Sequence, residues 1–542
     1  MKRICMILCG LLLLATGYSQ NAAPQKKEGW HLLDPRTSGY LGISMDEAYK
    51  LVEGRKPSTV IVAVIDSGLD TTQEDLQQVI WVNEKEIPAN GIDDDGNGYV
   101  DDVHGWNFCG SSTGENLARN SHEIARVYHH WRSEFEGKKE NRIPADRRFL
   151  YGQWKKAEKL INDDYKDAST QLPRLNEYLE ILEKSSALLA VRLTDSNFTA
   201  ATIRPLTTSS DETIANSAKL WTDVFDRFND ASVKRNVVLD ELRSYVGRLN
   251  TMIDRKNNAP EDFRGKLNGD NIEDINDRIY GNNNLKTGSG DHGTLVSGTI
   301  GATRNNGKGM DGIADHVRIM GVRAVPGGDE HDKDVALAIR YAVDNGAKVI
   351  NMSFGKPVSP YKKMVDDAVR YASSKNVLLV HGSGNDGKDI TSDIFYPNPV
   401  FLEGDTATNY ITVGASGDQS TGYIAAPFSN YSQRSVDVFA PGMYIYATAT
   451  DNRYVGADGT SLASPVVTGI AAFLLSYFPS LTPQQVKKIL VETGVPVPGE
   501  VPLPGNPEKL VSFNSLSVSG KLINAAEAVR MALAMEKQVS QK

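Results

Sequence analysis

The stretch VRIMGVRAV (317–325) opens a run of alternating segments: DKDVALAIRYAVDN (332–345), AKVINMS (347–353), SPYKKMVDDAVRYASS (359–374) and VLLVH (377–381). The first, third and fifth are short, apolar and rich in β-branched residues, whereas the second and fourth repeat apolar positions at helical spacing. Strand, helix, strand, helix, strand predicts a mostly parallel sheet with helices on both faces, a doubly wound α/β fold. Upstream, TVIVAVI (59–65) is a continuous apolar run of the same kind that stops at Asp66, Ser67 and Gly68. Folds of this class bind ligands beyond the carboxyl ends of their strands. Asp66, Ser353 and residues 382–385 all fall at such ends.

The 542-residue chain has 40% hydrophobic and 23% charged residues, which excludes a disordered, collagen-like or polytopic membrane protein. Its net charge of −9 offers nothing to attract a nucleic acid or an anionic membrane. Lys2 and Arg3 precede an apolar run (4–15), and Gly17 and Ser19 follow as small residues of a cleavage site. Residues 1–19 are thus expected to be a secretory signal peptide, exporting the protein to the periplasm, the cell envelope or the exterior. The run is too short for a comfortable membrane span and no second such run follows, so no integral membrane span is expected. Cleavage removes Cys5 and Cys9 and leaves only Cys109, so stability rests on packing or bound ions rather than on an intramolecular disulfide.

Residues 20–58 read as an N-terminal extension and 59–120 as the first part of the α/β unit. Between 121 and 276 the composition shifts to charged helix formers. Leu175, Tyr178, Leu179, Leu182 and Leu189, then Trp221, Phe225 and Phe228, then Leu239, Leu242, Val246 and Leu249, lie at helical spacing. These stripes predict helix–helix seams in a helical insertion. Residues 277–542 resume the α/β unit. Near their end Pro496, Pro498, Pro502, Pro504 and Pro507 mark an irregular connection before a closing helix at 524–536.

GTSLASP (459–465) leads into VVTGIAAFLL (466–475), which is apolar on every side and predicts a buried helix. A serine at such a helix start has free backbone N–H groups and the positive dipole end beside it, although serine and threonine are also ordinary helix caps. Ala463 occupies the place where a nucleophile elbow needs its second glycine, so that motif is excluded. A serine nucleophile needs a base, and the base an orienting carboxylate. Of the nine histidines, His292 follows Asp291 and introduces the helix-like stretch 295–300. Taken singly, His292 also fits a structural histidine and Asp66 a turn carboxylate. Their order with Ser461 on a parallel-sheet pattern is what joins them.

These segments resemble the subtilisin-like serine peptidases. Four blocks carry the resemblance: VIDSG (64–68), HGT (292–294), GSGN (382–385) and GTSLASP (459–465), with aspartate, histidine and serine in the order known from subtilisin itself. It covers residues 60–108 and 291 to about 534. The resemblance implies that Asp66 orients, His292 acts as general base and acid, Ser461 is the nucleophile and Asn385 donates to the oxyanion. NMSFG (351–355) resembles the strand that pairs with substrate and walls the primary specificity pocket. Ser353, Phe354, Gly355, Gly382, Ser383 and Gly384 are therefore the substrate-binding candidates. The implied chemistry is acyl transfer from protein or peptide substrates, with a catalytically silent peptide-binding protein as the other reading. Leu295 stands where many relatives carry a second histidine, and Leu462 where methionine is usual. Residues 20–60 leave little room for an inhibitory propeptide. Because the insertion separates Asp66 from His292, it is expected to restrict or recruit protein substrates.

The loop DDDGNGYVDD (93–102) sets Asp93, Asp95, Asn97 and Asp101 at positions 1, 3, 5 and 9 of an EF-hand-like pattern, with Gly98 at the turn and Tyr99 offering its carbonyl. A structural Ca2+ is expected there. His104 stands where a closing glutamate belongs, so the ligand set is incomplete as read. An acidic solvated turn is the alternative.

Overall fold

The run VIVAVID forms β1 (Val60–Asp66), and nearly all of it is buried, as an apolar β-branched strand covered on both faces must be. The computed structural model describes residues 27–193, 195–228, 231–286, 288, 290–418 and 422–540. The expected signal peptide lies outside them. Further strands are β2 (Gly105–Asn107), β3 (Val317–Arg323), β4 (Val349–Met352), β5 (Leu378–Gly382), β6 (Tyr410–Ser416), β7 (Val438–Pro441), β8 (Ile445–Ala449) and β9 (Arg453–Ala457). They are followed by β10 (Val495–Pro496), β11 (Glu500–Leu503), β12 (Asn506–Ser512) and β13 (Lys521–Leu522).

Nine strands make one sheet in the order β10-β13-β7-β6-β5-β4-β1-β3-β2. Every pairing in it is parallel except β10 with β13. After β3 the chain crosses to the other side of β1 and continues outward through β4, β5, β6 and β7. Strand order therefore reverses at β1, the place where open α/β sheets leave a crevice at the carboxyl edge. Asp66 ends β1 opposite Arg323, and Met352 ends β4 opposite His381.

Alternate residues of the strands face opposite sides, as the period of two requires. Val62 and Val64 join Ile319, Val349 and Val380 in one core, together with Val296 and Ile300 of the helix Asp291–Gly301 and Val466 and Ile470 of Thr460–Tyr477. Ala63 and Ile65 join Met320 and Val322 in the other, under the helices Asp332–Asp344 and Lys362–Ser374. Thr460–Tyr477 is long and apolar enough to cross a membrane, but 89% of it is buried inside the fold. The closing helix spans Ala525–Ser540. Residues 500–512 depart from the irregular connection expected from their prolines. β11 and β12 pair as an antiparallel hairpin with a register shift between Pro502 and Leu503. A two-stranded ribbon consists only of edges, where a missing N–H is tolerated.

The chain divides into two compact units, one containing Ile124–Pro260 and the other Gln25–Glu123 with Glu261–Lys542. The first is helical and built on Arg148–Ala190, Glu212–Phe225 and Arg235–Asn257. Tyr178, Leu182 and Leu189 meet Trp221, Phe225 and Leu239 in its core, and Leu175 meets Leu249. The apolar stripes are thus seams between helices.

Residues 261–276, read from their charge as part of the insertion, group with the sheet unit. Two of their charged side chains, Arg264 and Asp270, are inward-facing rather than solvated. Arg264, 2% exposed, donates to Asp270 at 2.8 Å and to the buried Asp334. Lys333 donates to Asp270 at 2.8 Å. Removing one member of such a network strands the other charges without water. Arg264→Leu is expected to lower unfolding stability by about 3–5 kcal/mol, measured by urea denaturation; an unchanged midpoint would show that the network contributes nothing.

Candidate active site

Asp66 is held at the end of β1 with its side chain 3% exposed. Its Oδ1 accepts from the Ser67 backbone N–H at 2.7 Å and contacts His292 Nδ1 at 2.7 Å, across 226 residues of sequence. The carboxylate can only accept, so Nδ1 carries the proton and donates, which leaves Nε2 as the free base nitrogen. The ring is brought there by the helix Asp291–Gly301, which packs against the strand end through Gly293. A Cβ at Gly293 would lie 2.0 Å from the Gly68 carbonyl oxygen and 3.1 Å from the Asp66 Cβ. Any side chain would push the imidazole off the carboxylate.

Burial pulls the His292 pKa down, but the charge of Asp66 and the hydrogen bond to it outweigh that effect, and the pKa stands above the ordinary 6.5. The outer part of the ring remains open, with 39% of the side chain exposed.

Ser461 lies in the first turn of Thr460–Tyr477, half-buried, with the apolar remainder of that helix anchoring it in the core. The helix start is tied to the sheet edge by Ser353. That hydroxyl donates to the Ser461 carbonyl at 2.9 Å, meets Ser464 Oγ at 2.8 Å and accepts from Asn351 Nδ2 at 2.8 Å. Asn351 in turn accepts from Thr468 at 2.9 Å.

Asn385 follows β5 and is exposed. Its Oδ1 accepts from the Thr460 N–H at 2.9 Å and from the Thr460 hydroxyl at 3.0 Å. With the amide oxygen so occupied, the NH2 group is turned outward. Ser461 Oγ and Asn385 Nδ2 border one space: a point at the position of a Cβ on Gly459 is 2.7 Å from the first and 3.8 Å from the second. A helix N-terminus, an aimed amide and a hydroxyl around one point form an arrangement suited to developing negative charge.

Two of the substrate-binding candidates turn inward. Ser353 is spent on the bonds above, and Ser383, fully buried, donates to the Asn430 carbonyl at 3.0 Å. Gly355, Gly382 and Gly384 keep backbone positions around the cleft. A Cβ on Gly382 would meet the Thr460 carbonyl oxygen at 3.0 Å. Phe354 is half-buried, and its carbonyl oxygen is 2.7 Å from His381 Nε2.

Three supporting residues carried no role in the sequence reading. Thr460 orients Asn385. Asn430 shapes the following loop, accepting from the N–H groups of Asp386 at 3.1 Å and Lys388 at 3.0 Å and donating to the Ser383 carbonyl at 3.0 Å. Arg323, fully buried opposite Asp66, donates to the carbonyl oxygens of Ser67 at 2.9 Å and Leu117 at 2.7 Å and to Asn107 Oδ1 at 3.1 Å. It thereby holds the turn that follows Asp66. Its signal was a cation inside an apolar strand.

In the acidic loop, ligand oxygens of Asp93 and Asp95 lie with one from Glu86 within 4.8 Å of one another. Glu86, distant in the pattern, was not foreseen. The carboxylate of Asp101 turns instead to the N–H groups of Asn90 at 3.1 Å and Gly91 at 2.9 Å. Asn97 Oδ1 accepts from the Tyr99 N–H at 2.7 Å.

The model of the family described as "Subtilase family" matches residues 58–512. A "Thermophilic serine proteinase" of Bacillus sp. (strain AK1) is 41% identical over 186 residues, which are 34% of this chain and 42% of that protein. "Alkaline elastase YaB" of Bacillus sp. (strain YaB) is 34% identical over 216 residues, 40% of this chain and 52% of the relative. The chain thus spans about half or less of the length of these two curated relatives. A solved structure titled "Structure of Prenylagaramide maturation protease PagA" aligns with 28% identity and a TM-score of 0.37, covering 45% of this chain and 82% of that one.

The balance at His292 is open to direct measurement. An NMR titration of its ring should give a midpoint above 6.5. D66N removes the carboxylate charge while burial stays, so the midpoint should fall below the unperturbed value of about 6.5; an unmoved midpoint would contradict the assigned cause.

Proposed function

The chain belongs to the subtilase family, and from that premise we propose that it is an exported serine endopeptidase hydrolysing peptide bonds in proteins through an acyl-enzyme on Ser461. The observation that carries this reading is the 2.7 Å contact of Asp66 with His292, at the same sheet edge as an outward-turned Asn385 amide bordering the Ser461 hydroxyl. His292 Nε2 takes the proton as Ser461 Oγ forms its bond to the substrate carbonyl carbon. The oxyanion accepts from Asn385 Nδ2 and the Ser461 backbone N–H. The proton then passes to the leaving amine as the peptide C–N bond breaks. Water, deprotonated by the same imidazole, releases the acyl group and restores the hydroxyl. Asp66 holds the ring in the productive tautomer and stabilises the imidazolium that forms at each transfer.

Export is supported by the signal-like pattern in residues 1–19. In subtilisin itself, removal of the nucleophile costs about a million-fold in turnover, and removal of the side-chain oxyanion donor about two to three orders of magnitude. S461A is expected to reproduce the first loss and N385A the second, read as kcat on a chromogenic peptide. Hydrolysis that survives S461A at the wild-type rate would refute the mechanism, and a wild-type protein that binds peptide without turnover would support the silent-binder reading.

The acidic loop is read as a structural Ca2+ site held by Glu86, Asp93 and Asp95, with Asn97 and the Tyr99 carbonyl as the remaining expected donors and Asp101 bracing the loop through the Asn90 and Gly91 N–H groups. Hard carboxylate oxygens suit this cation, and it relieves their mutual repulsion. A calcium-saturated sample should melt at a higher temperature than one in EDTA; coincident melting curves would remove the ion from the account.

A further inference from the structure

The two strand ends that border the cleft are lined by glycine. Gly355 follows β4 and Gly384 follows β5, and because the segment holding Gly355 resembles the wall of the primary specificity pocket, the slot beside these glycines is where a substrate side chain would lie; at Gly384 a Cβ would first meet Asn430 Nδ2, at 2.4 Å. The structure fills that slot from within. A Cβ placed on Gly355 would meet the Phe395 ring at 2.3 and 2.6 Å, and one on Gly384 would meet the same two ring atoms, Cε1 and Cζ, at 3.2 and 3.3 Å. One edge of the Phe395 ring therefore touches both walls.

The ring is not a loose surface side chain. Its neighbour Tyr396 exchanges a pair of 2.9 Å backbone hydrogen bonds with Lys356, the residue after Gly355. The Tyr396 side chain is buried, and Tyr410 Oη donates to the Pro397 carbonyl at 3.1 Å. His381 backs the ring at a centroid distance of 6.1 Å. Phe395 is itself half-buried, as a plug with one face toward the cleft would be. A strand-to-strand bond pair on one side and an aromatic neighbour behind it leave the ring little freedom to withdraw.

We propose that Phe395 is the specificity-determining residue of this site, closing the slot between Gly355 and Gly384 so that the residue donating the scissile carbonyl must be small: glycine, alanine or serine. The inference rests on the reading of Ser461 as nucleophile and deepens it. A side chain as large as leucine or phenylalanine would have to displace the ring, and overpacking against a backbone-anchored aromatic opposes that. The contact is legible only in three dimensions, because nothing in the sequence pattern brings Phe395 to Gly355, 40 positions earlier.

The test compares kcat/KM for a series of peptides differing only in the residue that precedes the scissile bond, with fluorophosphonate labelling of Ser461 run alongside to report a formed catalytic centre. Wild type should favour alanine over phenylalanine by about tenfold or more, within the range set by a few methylenes in a pocket. F395G and F395A should shift that ratio toward phenylalanine by a similar factor, and F395L, which keeps an apolar plug, should fall between. A wild-type preference for phenylalanine or leucine, or a ratio unchanged in variants that still label, would overturn the proposal while leaving the serine mechanism standing. A wild-type protein that does not label would overturn both. If the glycine and alanine variants fail to label, the wild-type ranking and F395L decide the matter.

Discussion

Everything at this site depends on holding a charged carboxylate at the buried end of a strand and giving it one partner that can use the charge. The Asp66 side chain is almost withdrawn from water, and its bond to His292 is short. An isolated ion in such a place would be costly. Several neighbours make it tolerable: the Ser67 N–H donates to it, the imidazole donates to it, and Arg323 grips the carbonyl of the next residue from the adjacent strand. The same arrangement raises the basicity of the imidazole and fixes which nitrogen faces the cleft. Structural necessity and chemical usefulness coincide in one hydrogen bond.

The fold supplies what that bond requires through two close approaches. Gly293 lets one helix sit against the strand end, and the chain Thr468–Asn351–Ser353–Ser461 locks the other helix to the neighbouring strand. Thr460 does for Asn385 what Asp66 does for His292: it occupies one polar atom so that the other must point into the cleft. Polar networks of this kind are rigid when every member is satisfied. That rigidity lets a half-exposed serine and an exposed amide keep a common orientation.

Much of this was legible from the sequence. Continuous apolar runs alternating with amphipathic ones announced the parallel sheet, and the abrupt ends at Asp66 and residues 382–385 marked the sheet edge where the candidate site lies. The stripes from Leu175 to Leu249 correctly announced helical seams. What could not be read depends on partners far away in the chain. Arg264 and Asp270 fall in the charged stretch assigned to the insertion, yet their side chains are buried in the sheet unit because Lys333 and Asp334 meet them from another helix. The side chains of Ser353 and Ser383, in segments read as lining the substrate cleft, are spent on internal ties. Glu86 enters the acidic cluster from outside the loop pattern, and Phe395 meets Gly355 and Gly384 only after the sheet has formed. Proline-rich residues 500–512 pair as a hairpin because a ribbon of two edge strands does not need every N–H. In each case local composition was outweighed by a long-range contact that periodicity does not encode.

The central claim is that Ser461, His292 and Asn385 surround a single reacting carbon. A crystal structure of the protein with a peptidyl phosphonate bound tests it most directly, since the phosphorus stands in for that carbon in its tetrahedral state. The account predicts a covalent bond from Ser461 Oγ to phosphorus, the phosphonyl oxygen within hydrogen-bonding distance of Asn385 Nδ2 and the Ser461 N–H, and the His292 imidazole on the leaving-group side. An adduct on another residue, or a phosphonyl oxygen turned away from both donors, would contradict it.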